Sequence, residues 1–147
     1  MKNILIGVTA LLFTLSACAP SMDEPVNSET PSAPQPGGYA PSPSDLTLMR
    51  GEAYVDETTL LALESYPLQF TLVMAGSLPT PCHQLRVAVR APDSENKILM
   101  DVYSVSASDA ICVQVLEPFE VNIPLGSFPT GHYTVWVNGK QVSELDS

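Results

Sequence analysis

Gln84-Leu85-Arg86-Val87-Ala88-Val89-Arg90 is the stretch on which the fold turns. Leu85, Val87 and Val89 alternate with Gln84, Arg86, Ala88 and Arg90. A period of two sends successive side chains to opposite faces of an extended chain, so one face meets a core and the other meets water. The same rhythm recurs on both sides. Leu68, Phe70, Leu72 and Met74 alternate with Gln69, Thr71 and Val73. Downstream, Ile98, Met100 and Val102 alternate with Leu99, Asp101 and Tyr103, and Val113 and Val115 flank Gln114. Phe119, Val121 and Ile123 alternate with Glu120 and Asn122; Tyr133, Val135 and Val137 alternate with Thr134, Trp136 and Asn138.

Turn residues separate these runs: Ser77 to Pro81, Ala91 to Asn96, Gly126 to Gly131, and Asn138-Gly139. The last pair is a strong two-residue hairpin signal between Trp136-Val137 and Gln141-Val142. Residues 52–64 read less cleanly. Ala53 and Val55 alternate, whereas Leu60-Leu61-Ala62-Leu63 also suits a short helix; two short strands or one bent strand is the preferred reading. About seven short strands without a long helix predict an all-β, antiparallel β-sandwich over residues 46–147.

A more specific resemblance lies near the end. Phe128-Pro129-Thr130-Gly131-His132-Tyr133-Thr134-Val135-Trp136-Val137 looks like the corner and following strand of fibronectin type III and related immunoglobulin-like domains. The resemblance implies an immunoglobulin-like sandwich in which the Tyr133 hydroxyl bonds to backbone a few residues upstream, a structural role. The chain departs from the immunoglobulin pattern twice. No tryptophan sits on a central strand before the corner, and no cysteine follows Tyr133 at immunoglobulin spacing.

Upstream of Leu46 the composition changes. Residues 19–45 hold 7 of the 14 prolines, five serines and Gly37-Gly38, with almost no aliphatic side chains. Such a stretch cannot bury a core and is expected to be a disordered, extended tether, reaching at most roughly 80 Å at about 3.1 Å per residue. Before it, Lys2 precedes the apolar run Ile4 to Leu15. Twelve residues fall short of the roughly 20 that cross a bilayer as a helix, so the start reads as a secretory leader over 1–17.

Leu15-Ser16-Ala17-Cys18 resembles the lipobox of bacterial lipoproteins at all four positions. The resemblance implies cleavage before Cys18, a diacylglycerol on its sulfur and an acylated new N-terminus, since one acyl chain alone holds a protein only marginally. The chain would then be an extracytoplasmic lipoprotein with 18–45 as its lipid-anchored linker. In a cell with two membranes, Ala19 rather than Asp after the cysteine implies the outer one. The general pattern also resembles uncharacterised lipoprotein domains, which imply no activity. With Cys18 given to lipid, Cys82 and Cys112 remain, and an oxidising compartment most simply joins them. The loop closed is about 31 residues, which stabilises by roughly 3–4 kcal/mol on the chain-entropy model.

The mature chain has 5 Lys+Arg against 16 Asp+Glu, a formal charge of −11 after loss of Lys2. It is repelled by nucleic acid and by anionic headgroups, so anchoring rests on the lipid. Candidates for chemistry are weak. Cys82-His83 could pair a nucleophile with a base, but neighbours on a strand face opposite ways and the bridge consumes the thiol. Cys82, His83, Cys112 and His132 lack the short paired spacing of a zinc site. Asp93, Glu95 and Asn96 have too few oxygen ligands in order for calcium, and Asp56-Glu57 reads as a charged turn or edge. No G-x-S-x-G, H-E-x-x-H or phosphate-binding glycine pattern occurs.

The expectation is therefore a non-enzymatic module without metal or cofactor beyond the lipid on Cys18, which binds or supports another envelope protein. Trp136 points away from the Tyr133, Val135, Val137 face and could anchor a partner, as could the rigid Pro79 to Pro81 loop. The alternatives are a surface glycan-binding module, with coplanar aromatics beside Trp136, or a protease inhibitor acting through a loop.

Overall fold

The computed structural model describes residues 37–147. The expected leader, Cys18 and the expected tether up to residue 36 lie outside the described residues. Eight strands form two sheets: β1 Met49–Gly51, β2 Tyr54–Leu63, β3 Gln69–Leu78, β4 Gln84–Val89, β5 Lys97–Ser106, β6 Glu117–Gly126, β7 His132–Val137 and β8 Lys140–Asp146. The fold is the all-β sandwich that the alternating runs predict.

The smaller sheet is antiparallel, in the order β2-β3-β6. Leu72 and Met74 of β3 and Val121, Ile123 and Leu125 of β6 turn inward and are buried. Residues 52–64 resolve as one bent strand rather than a helix, with a register shift between Val55 and Glu57. Gly76 lies beside that bulge, between Val55 and Phe119. A Cβ there would strike the Tyr54 carbonyl oxygen, so the close approach requires glycine.

The larger sheet is built around β5. On one side β5 pairs with β4; on the other, β7 pairs with its first half and β1 with its second. β8 pairs with β7. The β5–β7 ladder is parallel, a departure from the purely antiparallel sandwich expected. Parallel neighbours need a crossover, and β6 supplies it by running through the other sheet. Leu85, Val87, Ile98, Met100, Val102, Tyr133, Val135 and Val137 bury the inner face.

Two local devices close this sheet. Asn138 and Gly139 have φ of 50° and 81° and make the predicted hairpin turn. The Asn138 amide then fills the gap on β5 between the last residue of β7, Val137, and the last residue of β1, Gly51. Its Oδ1 accepts from the Val102 N–H at 2.8 Å and its Nδ2 donates to the Val102 carbonyl at 2.9 Å. Tyr133 packs against Phe128 and donates its hydroxyl to the Pro129 carbonyl at 3.1 Å.

Two expectations need correction. Val113 and Val115 do not form a strand; residues 111–116 carry neither strand nor helix. Both sides of that end of β5 are already taken, by β4 and β1. The linker expected to run to residue 45 also gives way to structure before that residue. A 3-10 turn over Pro43–Thr47 is capped by Ser42, and Asp45 holds Arg86 of β4 through two bonds of 2.8 Å. A bidentate carboxylate–guanidinium pair fixes both position and orientation, so the turn upstream of Leu46 is held against β4 of the sandwich. Among the described residues no helix is long and apolar enough to cross a membrane.

Candidate functional site

Residues 107–116 carry the chain from β5 in one sheet to β6 in the other. Cys112 is bridged to Cys82, with Cα atoms 6.0 Å apart. The Cys82 side of the bridge is firm. Thr80 is buried, its carbonyl accepts from the His83 N–H at 3.1 Å, and its hydroxyl shares a 2.8 Å hydrogen bond with His83 Nδ1. The bridge thus ties a β-branched segment to a fixed turn while giving it no strand to pair with. Ile111, Val113, Val115 and Leu116 are left 101%, 67%, 54% and 58% exposed. Single exposed aliphatic residues are ordinary, but four within six residues of one tied loop make an apolar end. Asp109 and Glu117 flank it, and no base lies within the segment.

The other candidates are dispersed. Pro79 is half-buried and Pro81 exposed, both in the turn that holds Cys82. Trp136 lies on the outer face of the larger sheet beside Leu99. From there to the β4–β5 pair nearest that turn, Gln84 with Val105, is six residues along β5, roughly 20 Å. Trp136 is half-buried; its Nε1 donates to Thr134 Oγ1 at 2.9 Å, and Lys97 Nζ sits 5.6 Å from its ring centre. Among the described residues the paired rings, Phe70–Phe128 and Phe128–Tyr133, belong to the core side of the fold, and none stacks beside Trp136. Tyr103, the other aromatic on that outer face, is covered by the Arg50 guanidinium at 3.7 Å.

The polar groups are committed to structure. Ser104 is fully buried and donates its hydroxyl to the Glu52 carbonyl at 2.7 Å, so it is committed to structure although it and the His83 ring both border Gly51. Asp93 accepts from the Glu95 and Lys97 N–H groups, each at 2.9 Å. These bonds, that of Lys97 foremost, hold its carboxyl below the usual range. Asn96 donates to the His132 carbonyl, and Glu95 meets Lys97 Nζ at 2.6 Å. His132 lies at the start of β7 with Nδ1 2.8 Å from Asp146 and Nε2 3.8 Å from Glu144. Its pKa is raised above 6.5, chiefly by the Asp146 hydrogen bond and then by the charges of the two carboxylates. Cys82, His83, Cys112 and His132 do not converge, and among the described residues no three His, Cys, Asp or Glu side chains group as metal ligands.

The apolar end was the feature missed from sequence. Its signal was the cysteine inside the β-branched run: a bridge at Cys112 pulls that run out of any sheet. An all-β sandwich with a disulfide-tied crossover loop defines the class. The chain belongs to the ORF11 beta-sandwich domain family, whose model matches residues 72–145, half of the chain. No curated protein and no solved structure matches it. The family match runs from Leu72 within β3 to Leu145 near the end of β8 and leaves β1 and β2 outside.

Proposed function

We propose that this chain is a membrane-anchored extracytoplasmic lipoprotein whose sandwich is a non-enzymatic protein-interaction module of the cell envelope. The observation that carries the interaction reading is the apolar end: Ile111, Val113, Val115 and Leu116 exposed together on a loop that a disulfide holds in place. Keeping four aliphatic side chains in water is unfavourable by about 25 cal/mol per Å² of apolar surface, which a partner's apolar surface would recover. Asp109 and Glu117 beside the loop favour a partner with bases around its contact surface. The anchoring reading rests on Leu15-Ser16-Ala17-Cys18 and on a disulfide that suits an oxidising compartment.

One experiment tests both halves. The full chain is expressed with labelled fatty acid and cross-linked in its own cells. Native chain is expected to carry label, to sediment with membranes and to cross-link to one protein. Cys18→Ala should abolish the label and release the chain; label that persists would sink the anchor. Ile111→Asp with Val113→Asp should lose the cross-linked protein while keeping membrane attachment and the native melting temperature, since both side chains are exposed. Retention of the cross-link by that variant would overturn the interaction reading.

A further inference from the structure

Every open sheet needs its edges guarded, because a bare edge is a template for another strand. Most edges here are guarded. β4 carries Arg86, held under the Asp45 turn. β8 carries Lys140, Glu144 and Asp146. β6 has Pro118 and Pro124, each lacking an N–H, along with Glu117 and Glu120. The first half of β2 has Asp56 and Glu57 at a bulge, which twists that half out of line. The second half, Thr58-Thr59-Leu60-Leu61-Ala62-Leu63, has no charge, proline, glycine or bulge. Among the described residues it pairs with β3 alone, and Leu61 and Leu63 on its outer face are 42% and 44% exposed.

The sequence of this half-strand is complementary to itself. In an antiparallel pair about a two-fold axis, opposed residues share a face, so the axis must pass through one residue position. An axis at Leu60 sets Asp56 against Glu64 of the other copy, which repels. An axis at Ala62 sets Glu64 against the core-facing Leu60. With the axis at Leu61, the two Leu61 side chains meet, Thr59 opposes Leu63 and Leu60 opposes Ala62. Glu57 and Glu64 then fall opposite Ser65 and Thr58, and no like charges oppose. We propose that the Thr58–Leu63 edge of β2 pairs with the same edge of a second copy about an axis at Leu61. The two small sheets then become one six-stranded sheet in the order β6-β3-β2-β2-β3-β6. This surface is distinct from the 107–116 loop and leaves that loop exposed in both copies.

The test uses the full chain in density-matched detergent. By sedimentation equilibrium the native chain should have the mass of two chains. Leu61→Lys, a change at an exposed side chain, should have the mass of one and keep the native circular dichroism spectrum. Register is read by oxidation and peptide mapping. Leu61→Cys should link to itself. Thr59→Cys mixed with Leu63→Cys should give the 59–63 link, and neither alone should link at that position. The proposal is overturned if the native chain is monomeric throughout its soluble range or if Leu61→Lys remains dimeric. It is also overturned if the 59–63 link is no more abundant than 59–59 and 63–63 links. Linkage of Leu61→Cys to an extended segment of a different protein would reassign the edge to that partner and equally overturn the second-copy assignment.

Discussion

The two sheets of this sandwich are held in different ways. The larger one collects the bases. Arg50, Arg86, Arg90, Lys97 and Lys140, all the Lys and Arg after Lys2, lie on it or beside it. Several of them pair at once: Arg86 with Asp45, Arg90 with Asp101, and Lys97 with Glu95. Its irregular places are closed by side chains, as where Asn138 stands in for a missing strand residue opposite Val102. The three strands of the smaller sheet carry Asp56, Glu57, Glu117 and Glu120 and no base. Backbone ladders, the inner apolar face and the close approach at Gly76 hold that sheet together. Side-chain ties occupy an edge, and the sheet that lacks them keeps a bare one. The difference explains why the exposed half of β2 lies on the smaller sheet.

The largest effect should come from what the sheets share. Leu72 of the smaller sheet and Ile98 of the larger are fully buried in one apolar cluster. Leu72→Ala and Ile98→Ala should each destabilise by about 2–5 kcal/mol, through lost transfer energy and the cavity left behind. Each variant should unfold in one transition, with backbone and aromatic circular dichroism melting together. Two separate transitions in either variant would mean that the sheets are separate units and would break the comparison at its base.

The next effect should be confined to the larger sheet. Asn138→Ala removes both bonds to Val102, whose residue is 3% exposed, and puts alanine at a φ of 50°. Two buried backbone groups left without partners predict a loss of about 2–4 kcal/mol. Hydrogen exchange should quicken at Val102 and along β7 and β8, with the β2–β3–β6 ladder exchanging as before. Equal quickening in both sheets would show that the Asn138 bridge supports the whole sandwich.

Much of the fold was legible because alternation is a local property. Gln84 to Arg90 gave β4, Leu68 to Met74 gave most of β3, and Asn138-Gly139 located the last hairpin. Alternation says which face is buried but not which strand lies alongside, so the parallel β5–β7 ladder was hidden. β1 was missed because Met49-Arg50-Gly51 is three residues long and has no period to read. The Asp45–Arg86 pair was invisible because 41 residues separate its members. Val113 and Val115 show the opposite failure. Their propensity favours a strand, but β4 and β1 already flank the end of β5 that they follow, and the bridge at Cys112 holds them at the Cys82 turn instead. The apolar end could not be read from propensity alone, because propensity does not show which strand positions beside β5 are already taken.

The smallest effects sharpen the comparison by their sign. Two ion pairs tie the larger sheet, and they answer pH in opposite directions. The Arg86 side chain bonds to Asp45, aided by the Ser42 N–H, and holds its carboxyl below the ordinary 3.8. A lowered folded pKa contributes stability that is present above 3.8 and is lost as pH falls through the folded value. His132, raised above 6.5, contributes stability that is complete below 6.5 and is lost as pH rises through its folded value. Melting temperature against pH should therefore lose part of its acid slope in Asp45→Asn and part of its near-neutral slope in His132→Gln. The His132 change should be the weaker, because its side chain is 56% exposed against 11% for each member of the Asp45–Arg86 pair, and water and salt screen an exposed pair. Raising the salt concentration should erase the His132 limb before the Asp45 limb. If both variants keep the native profile at low salt, these ties contribute nothing measurable, and the guarding of the β4 edge would rest on the packing of the Pro43–Thr47 turn instead.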